Sequence, residues 1–103
     1  MTAITSASLD VYKRQLKGTL TFTNSNSILN ANNFNVSIAG DLTNNGASTS
    51  YVYGTNTTTF NGANQNINGS SVTNFYDLMI SCSGSLSVNN SFTVNRKIGR
   101  AHV

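Results

Sequence analysis

Two carboxylates, Asp41 and Asp77, are the side chains between residues 16 and 96 that are best suited to acid–base chemistry. A glycoside hydrolase needs two such groups, one as acid and the other as base or nucleophile. In the coil register derived below they lie about two coils apart, roughly 9–10 Å at ~4.8 Å per coil. Because no further charges cluster around either residue, the sequence favours solvated turn carboxylates over a catalytic pair.

The other reactive side chains predict no site either. Cys82 is the single cysteine, so no intramolecular disulfide can form, and no histidine lies near it to activate the thiol. The only histidine is His102, and one cysteine with two separated aspartates makes no metal-ligand set. We therefore predict no catalytic, cofactor-binding or metal-binding residue, and no enzymatic activity.

Aromatic and hydroxyl side chains are the remaining candidates for binding. Tyr51, Tyr53 and Tyr76 could stack on sugar rings, although aromatic residues in repetitive β proteins more often pack in the core or between coils. Outward threonines are expected at residues 19, 21 and 23, with Thr57 and Thr59 as a possible extension of the same row. Such rows resemble ice-binding surfaces, but the repeat described below does not keep this one.

Charge is scarce in this chain, because 9% of the residues are charged and the formal net charge is +3. Between Leu16 and Arg96 the charged residues are Lys17, Asp41, Asp77 and Arg96, which sum to zero. No basic patch follows a phosphate backbone there, so nucleic-acid binding is disfavoured. No stretch is apolar and long enough to span a membrane. Neutral polar residues replace charges, as in many extracellular β proteins.

An internal correspondence at an offset of 58 residues predicts the fold. Gly18–Val36 (GTLTFTNSNSILNANNFNV) aligns without gaps with Tyr76–Val94 (YDLMISCSGSLSVNNSFTV), and the apolar positions coincide. Short segments alternate apolar and polar residues with period two, and turn formers such as Asn68-Gly69 separate them. Three short strands in a coil of about 19–20 residues predict an all-β, parallel β-solenoid of about four coils, since stacked coils share one core. Asn-Gly also marks hairpins, so an antiparallel meander or sandwich is the alternative.

Three apolar series set the predicted register, and they are Phe22-Leu42-Phe60-Ile80, Ile28-Ala47-Ile67-Leu86 and Phe34-Tyr53-Val72-Phe92. The register places Phe60 beside Ile80 and Ile67 beside Leu86. Seven side chains should be buried, with almost no helix between Leu16 and Asn95; they are Phe22, Phe34, Phe60, Ile67, Ile80, Leu86 and Phe92.

The central chain resembles the Asn/Thr/Gly-rich β-helical repeat regions of large secreted or cell-surface, adhesin-like bacterial proteins. The likeness is carried by residues 34–46 (FNVSIAGDLTNNG), 59–69 (TFNGANQNING) and 75–80 (FYDLMI). It implies a β-solenoid in an extracellular or cell-surface location, and it offers no catalytic residue to transfer.

Both ends resemble translated sequencing adapters. The run Asp10–Gln15 (DVYKRQ) resembles one frame of a transposase mosaic end, and Ile98–Val103 (IGRAHV), preceded by a fitting Lys97, resembles a frame of a ligation adapter. We therefore expect a non-native segment at 1–15, a single solenoid fragment at 16–96 and a non-native tail at 97–103. A natural basic tail at each end is the alternative.

The sequence thus supports two functional hypotheses. The first is a structural or adhesive segment that stacks against flanking coils of the same parent protein and displays a surface ligand site, with carbohydrate as a candidate ligand. The second is a β-helix piece of a carbohydrate-active enzyme or carbohydrate-binding protein.

Overall fold

Short β-strands make up the regular structure of the chain. The computed structural model describes residues 2–4, 6–8, 15, 16 and 18–100, and no residue among these is helical. The strands are β1 (Thr2–Ile4), β2 (Ser6–Ser8), β3 (Gln15–Leu16), β4 (Leu20–Phe22), β5 (Ile28–Asn30), β6 (Val36–Ile38), β7 (Leu42–Asn44), β8 (Tyr51–Val52), β9 (Thr57–Phe60), β10 (Gln65–Gly69), β11 (Thr73–Ile80), β12 (Leu86–Val88) and β13 (Phe92–Arg100).

These strands form three parallel sheets that stack along one axis. Sheet A has the order β1-β4-β7-β10-β12, sheet B has β2-β5-β8, and sheet C has β3-β6-β9-β11-β13. Each pairing in the described chain is parallel. Four turns carry the chain from β1 to β12, so the predicted parallel β-solenoid is confirmed and the antiparallel alternative is wrong.

The register between coils agrees only in part with the prediction. Ile80 pairs with Phe60 as predicted. Ile67, however, pairs with Val88, and Leu86 faces Gln65, so the predicted Ile67–Leu86 pair is wrong by two residues. The offset is not constant either: it is 18 residues from Thr2 to Leu20 and 25 from Leu42 to Ile67.

A change in coil shape shortens the offset late in the chain. In the second and third coils a strand of sheet B lies between the strands of sheets A and C, whereas in the fourth coil residues 70–72 alone join β10 to β11. The fifth coil makes the same short connection through residues 89–91. Offsets accordingly fall from 22 residues between Val36 and Thr58 to 19 between Thr73 and Phe92.

The 58-residue correspondence does not reflect structural equivalence. It matches Leu20 with Leu78, yet Leu20 belongs to sheet A and Leu78 to sheet C. The apolar series have the same fault, because Leu42 lies in sheet A and Phe60 in sheet C. Apolar residues alternate with polar ones in strands of different sheets, so similar spacing alone aligned strands that belong to different sheets.

The core runs along the axis between the sheets. Strands β4, β6 and β7 bury their first and third residues, which is the alternation that a one-sided buried strand requires. Of the seven side chains predicted to be buried, Phe22, Phe60 and Ile67 are fully buried, and the other four are half-buried. The Phe75 ring lies at the centre, with its centroid 5.9–6.1 Å from three aromatic rings, those of Tyr51, Phe60 and Phe92.

Buried polar side chains close the corners of the coils. Gln65 is 1% exposed, and its side-chain oxygen accepts a bond from the Gly62 N–H while its amide donates to the Ile38 and Gly40 carbonyls. Asn44 acts similarly, since its amide donates to the Ala47 and Val72 carbonyls. These side chains supply hydrogen bonds to buried turn backbone, and for the Ile38 and Ala47 carbonyls they add to the bonds from the Asn61 and Ser50 N–H groups.

Candidate binding site

The three tyrosines singled out from the sequence come together where sheet B ends. Tyr51 lies in β8, Tyr53 follows it, and Tyr76 lies in the middle of β11. The ring centroids of Tyr51 and Tyr53 are 6.4 Å apart in an edge arrangement, and those of Tyr53 and Tyr76 are 6.2 Å apart and stacked. The expectation of packing between coils is therefore confirmed for this set.

Tyr51 anchors this cluster from inside the core. It is 2% exposed, and its hydroxyl bonds the Thr58 hydroxyl at 2.6 Å and accepts from the Asn56 amide at 3.1 Å. Burial raises the pKa of the Tyr51 hydroxyl above its ordinary value, and the two hydrogen bonds offset that rise in part. Tyr51 is thus a neutral structural support for the rings outside it.

A bulge in β13 places two polar side chains beside the outer tyrosines. Phe75 pairs with Val94 and Asp77 with Lys97, so Asn95 and Arg96 together face the single residue Tyr76. Such an extra residue re-aims its neighbours. The Asn95 amide donates to the Tyr53 hydroxyl, and the Arg96 guanidinium carbon lies 5.2 Å from the Tyr76 ring centroid.

Arg96 also makes an ion pair across the same strands. Its Nε donates to Asp77 Oδ1 at 3.0 Å, with side-chain exposures of 58% for Arg96 and 15% for Asp77. The hydrogen bond to Asp77, followed by the attraction of its charge, raises the pKa of Arg96 further above its usual range. The exposed guanidinium is open to solvent screening, so this pair fixes the Arg96 side chain over Tyr76 more than it stabilises the fold.

An open groove of about 270 Å³ borders this cluster. We call it the tyrosine groove, and it is lined by Ser48, Thr49, residues 51–54 and Asn74. Its wall is β8, which pairs only with β5 in the described chain. The groove exists because the fourth coil omits a strand of sheet B, leaving the β8 edge uncovered. Asn74 closes one side, since its amide donates to the Ser48 carbonyl at 2.8 Å.

The two aspartates are not brought together. Asp41 precedes β7 in sheet A, and its Oδ1 accepts bonds from the backbone N–H and side-chain amide of Asn66. Asp77 lies in sheet C, paired with Thr57. They belong to successive coils, the third and fourth, so the predicted separation of two coils is wrong. Each carboxylate has a structural partner, in Asn66 and Arg96 respectively.

The remaining candidates lie apart from the groove. Cys82 is a free, half-buried thiol near Leu86 and Phe92. Thr21 pairs with Thr43 in sheet A, whereas Thr57 and Thr59 lie in sheet C, so the predicted extension of the threonine row is wrong. His102 and residues 10–14 fall outside the described residues. The adapter interpretation stays a prediction, although β13 continues through Arg100.

Neither a metal cluster nor a spanning helix occurs in the part of the chain that is described. No three His, Cys, Asp or Glu side chains lie together there as ligands would, and no helix there is long and apolar enough to cross a membrane.

Parallel pairing in three stacked sheets defines the chain as a β-solenoid. Comparison with protein-family models, with curated proteins and with solved structures finds no match.

Sequence reasoning missed the polar half of the site. The 58-residue correspondence ends at Val94, so it did not include Asn95 or Arg96, and Asn74 was not singled out. No local signal marks the bulge that brings Asn95 and Arg96 to the tyrosines, because it depends on the pairing of β11 with β13.

Proposed function

We propose that this chain is a structural or adhesive segment of a secreted or cell-surface repeat protein, without catalysis of its own. In this role the solenoid is a stiff stack that continues into flanking coils of the same parent protein. The lateral surface of this stack, parallel to its axis, carries neutral polar residues and the tyrosine groove. The observation that carries the proposal is the exposure of apolar side chains in the fifth coil, the last one among the described residues.

The fifth coil repeats the inward register of the fourth but has no cover in the described chain. Val88 is 51% exposed, while its partner Ile67 one coil earlier is 0% exposed. Ile98 is 55% exposed, while its partner Leu78 is 1% exposed. At these equivalent positions the side chain is buried where a further coil lies over it and exposed where no described coil does.

The backbone of the fifth coil also has an uncovered edge in the described chain. In the described chain β12 has a neighbour only in β10, and β13 only in β11, so each presents one row of unpaired backbone groups. A further coil would satisfy both the apolar side chains and these edges. A solenoid coil cannot bury its apolar face alone, which is the physical reason such coils occur in stacks.

Secretion is inferred from composition and resemblance. Charged residues make up 9% of the chain, against about 25% in typical soluble domains. Among the neutral polar residues that replace them, asparagine side chains accept backbone bonds from the next coil, as Asn35 does from the Thr57 N–H at 2.8 Å. Neutral ladders of this kind support the likeness to β-helical repeats of bacterial surface proteins.

Sedimentation velocity tests whether the open coil is a stacking surface. Without flanking coils, the protein should associate as its concentration rises. Val88→Ser/Ile98→Ser should reduce that association at little cost to folding, because both side chains are more than half exposed. Val72→Ser is the matched control, since Val72 is 37% exposed on the lateral surface and its loss should not change association. A wild-type protein that stays monomeric throughout the range would contradict the stacking proposal.

Carbohydrate binding is the second candidate function, and the tyrosine groove favours it. Aromatic rings beside amide and hydroxyl groups suit the alternating apolar and polar faces of a sugar. Within this candidate we propose binding and not hydrolysis by this segment, because Asp41 and Asp77 lie on different sheets and each is engaged by another side chain.

A further inference from the structure

We propose that the tyrosine groove binds one or two residues of a neutral saccharide chain, with Tyr53 as the stacking platform. This inference rests on carbohydrate binding, the second candidate function above, and it assigns that function to one place on the molecule. It does not depend on the stacking of further coils.

The chemistry of the lining selects an uncharged ligand. The groove is lined by serine, threonine, tyrosine, valine, glycine and asparagine, with no acidic or basic side chain among them. Arg96, the charged side chain that lies over the Tyr76 ring, is paired with Asp77. A charged ligand would therefore lose its hydration on binding and gain no partner of opposite charge in return.

The surfaces available in the groove match a sugar ring. Tyr53 is half-buried, and at a centroid separation of 6.2 Å its ring is offset from Tyr76, so part of its face stays open. Val52 is 40% exposed and extends the apolar floor. The exposed Ser48 and Thr49 lie at the rim, where their hydroxyls are placed to bond sugar hydroxyls.

The size of the site limits the ligand. The groove measures about 270 Å³, just under the roughly 300–1,000 Å³ of typical small-molecule sites. A site this small and open holds one or two sugar residues of a chain that continues past both ends. Affinity from a single such site is expected in the millimolar range.

An extended peptide fits this edge less well. Strand addition depends on main-chain bonds along several residues, and β8 contains only Tyr51 and Val52. Since Ser50 and Val52 direct their carbonyls to β5, only the backbone groups of the alternate residues point into the groove. So few hydrogen bonds cannot offset the entropy that an extended peptide loses on association.

Nuclear magnetic resonance titration of the intact chain tests the proposal. The probes are the neutral oligosaccharides cellohexaose, mannohexaose and chitohexaose, with oligogalacturonate as the acidic comparison and an uncharged extended hexapeptide as the alternative ligand. At least one neutral probe should shift amide resonances of residues 48–54 and Asn74 at millimolar concentration. Absence of shifts with all three, stronger shifts with the acid or the peptide, or shifts located elsewhere would overturn the proposal.

Two substitutions establish the role of the groove. Tyr53→Leu keeps apolar bulk but removes the flat ring, and it should weaken binding by at least about threefold, while Tyr53→Phe should bind like the wild type. Val52→Glu places a charge on an exposed position and should abolish the shifts even if Tyr53→Leu fails to fold. Unchanged affinity in Val52→Glu would show that the groove is not the site, and it would leave the sedimentation result on coil stacking unaffected.

Discussion

The side-chain oxygen of Asn33 accepts a hydrogen bond from the backbone N–H of Thr55, one coil further along the chain, at 3.0 Å. The same relationship recurs between Asn64 and Ser85, also at 3.0 Å. In both cases a glycine precedes the donor, Gly54 or Gly84, and lies directly against the asparagine amide. An asparagine in one coil and a glycine in the next thus fix the register at the corner.

Gly54→Ala should destabilise the fold by about 1–3 kcal/mol. Gly54 has φ +73°, and a Cβ there would lie 1.9 Å from Asn33 Oδ1, so both backbone strain and a clash result. Urea denaturation measures the loss. Gly99→Ala is the control, because its Cβ would meet only the flexible end of Met79, and it should cost under about 0.5 kcal/mol. Equal effects of the two substitutions would show that the corner contact has no special role.

Gln65→Leu should cost about 2–4 kcal/mol in the free energy of unfolding. The substitution keeps the size of the side chain but removes its bonds to the Gly62 N–H and to the Ile38 and Gly40 carbonyls, of which the Ile38 carbonyl still accepts from the Asn61 N–H. Chemical denaturation gives the change. Asn61→Leu serves as control because Asn61 is exposed on the same turn. A neutral or stabilising Gln65→Leu would mean that burial of apolar surface outweighs the corner hydrogen bonds.

Phe75→Ala should be among the most destabilising core substitutions, at about 3–5 kcal/mol. The Phe75 ring contacts three aromatic rings from the two adjacent coils, Tyr51 and Phe60 in the third and Phe92 in the fifth, so its removal leaves a cavity that no single neighbour can fill. Phe75→Leu should lose less, since it retains most of the volume. If the two variants have the same thermal unfolding midpoint, ring packing at this position contributes little.

Tyr51→Phe should change how stability depends on pH above about 10. The folded state raises the pKa of the Tyr51 hydroxyl, so above the ordinary value the unfolded chain releases this proton before the folded chain does. The stability contributed by Tyr51 is therefore complete below about pH 10 and declines as the pH rises further. At neutral pH the variant should lose about 1–3 kcal/mol, because the Thr58 and Asn56 partners are left buried.

Thermal unfolding midpoints of both proteins from pH 7 to 11 test this prediction. The difference between wild type and Tyr51→Phe should narrow at the alkaline end. A difference that stays constant, or widens, would mean that ionisation of Tyr51 is not coupled to unfolding. Tyr53→Phe, which removes a hydroxyl from the half-buried neighbouring ring, provides the comparison for non-specific alkaline effects.

Strand class and pairing direction were predictable from the sequence, but the register was not. Alternating residues such as Leu20 and Phe22 do mark strands with one buried face, and stacking of short strands was enough to predict parallel sheets. The pair Phe60–Ile80 was predicted correctly because the offset between these residues, 20, equals the predicted coil length. Ile67 was paired with Leu86 by mistake because the register was counted from apolar residues alone. The residue that faces Leu86 is the polar but buried Gln65, which such a count leaves out.

The binding site was predictable only as a list of tyrosines. Their proximity depends on residues 70–72, which replace a strand of sheet B with a short connection. Nothing in that tripeptide, Ser70-Ser71-Val72, marks it as different from other Ser/Thr-rich turns. Bonds made at long range hold it instead, from Ser71 to the Gly46 carbonyl and from Asn90 to the Ser71 carbonyl.

The end of sheet B at β8 also removes translational symmetry from the stack. In a solenoid whose coils are all alike, a ligand meets the same surface at every step along the axis and can occupy many sites at once. Here the cross-section changes from three sheets to two between the third and fourth coils, so among the described residues the ledge between them occurs once. A molecule that recognises this ledge therefore binds with a stoichiometry of one per chain, at a fixed position along the solenoid axis.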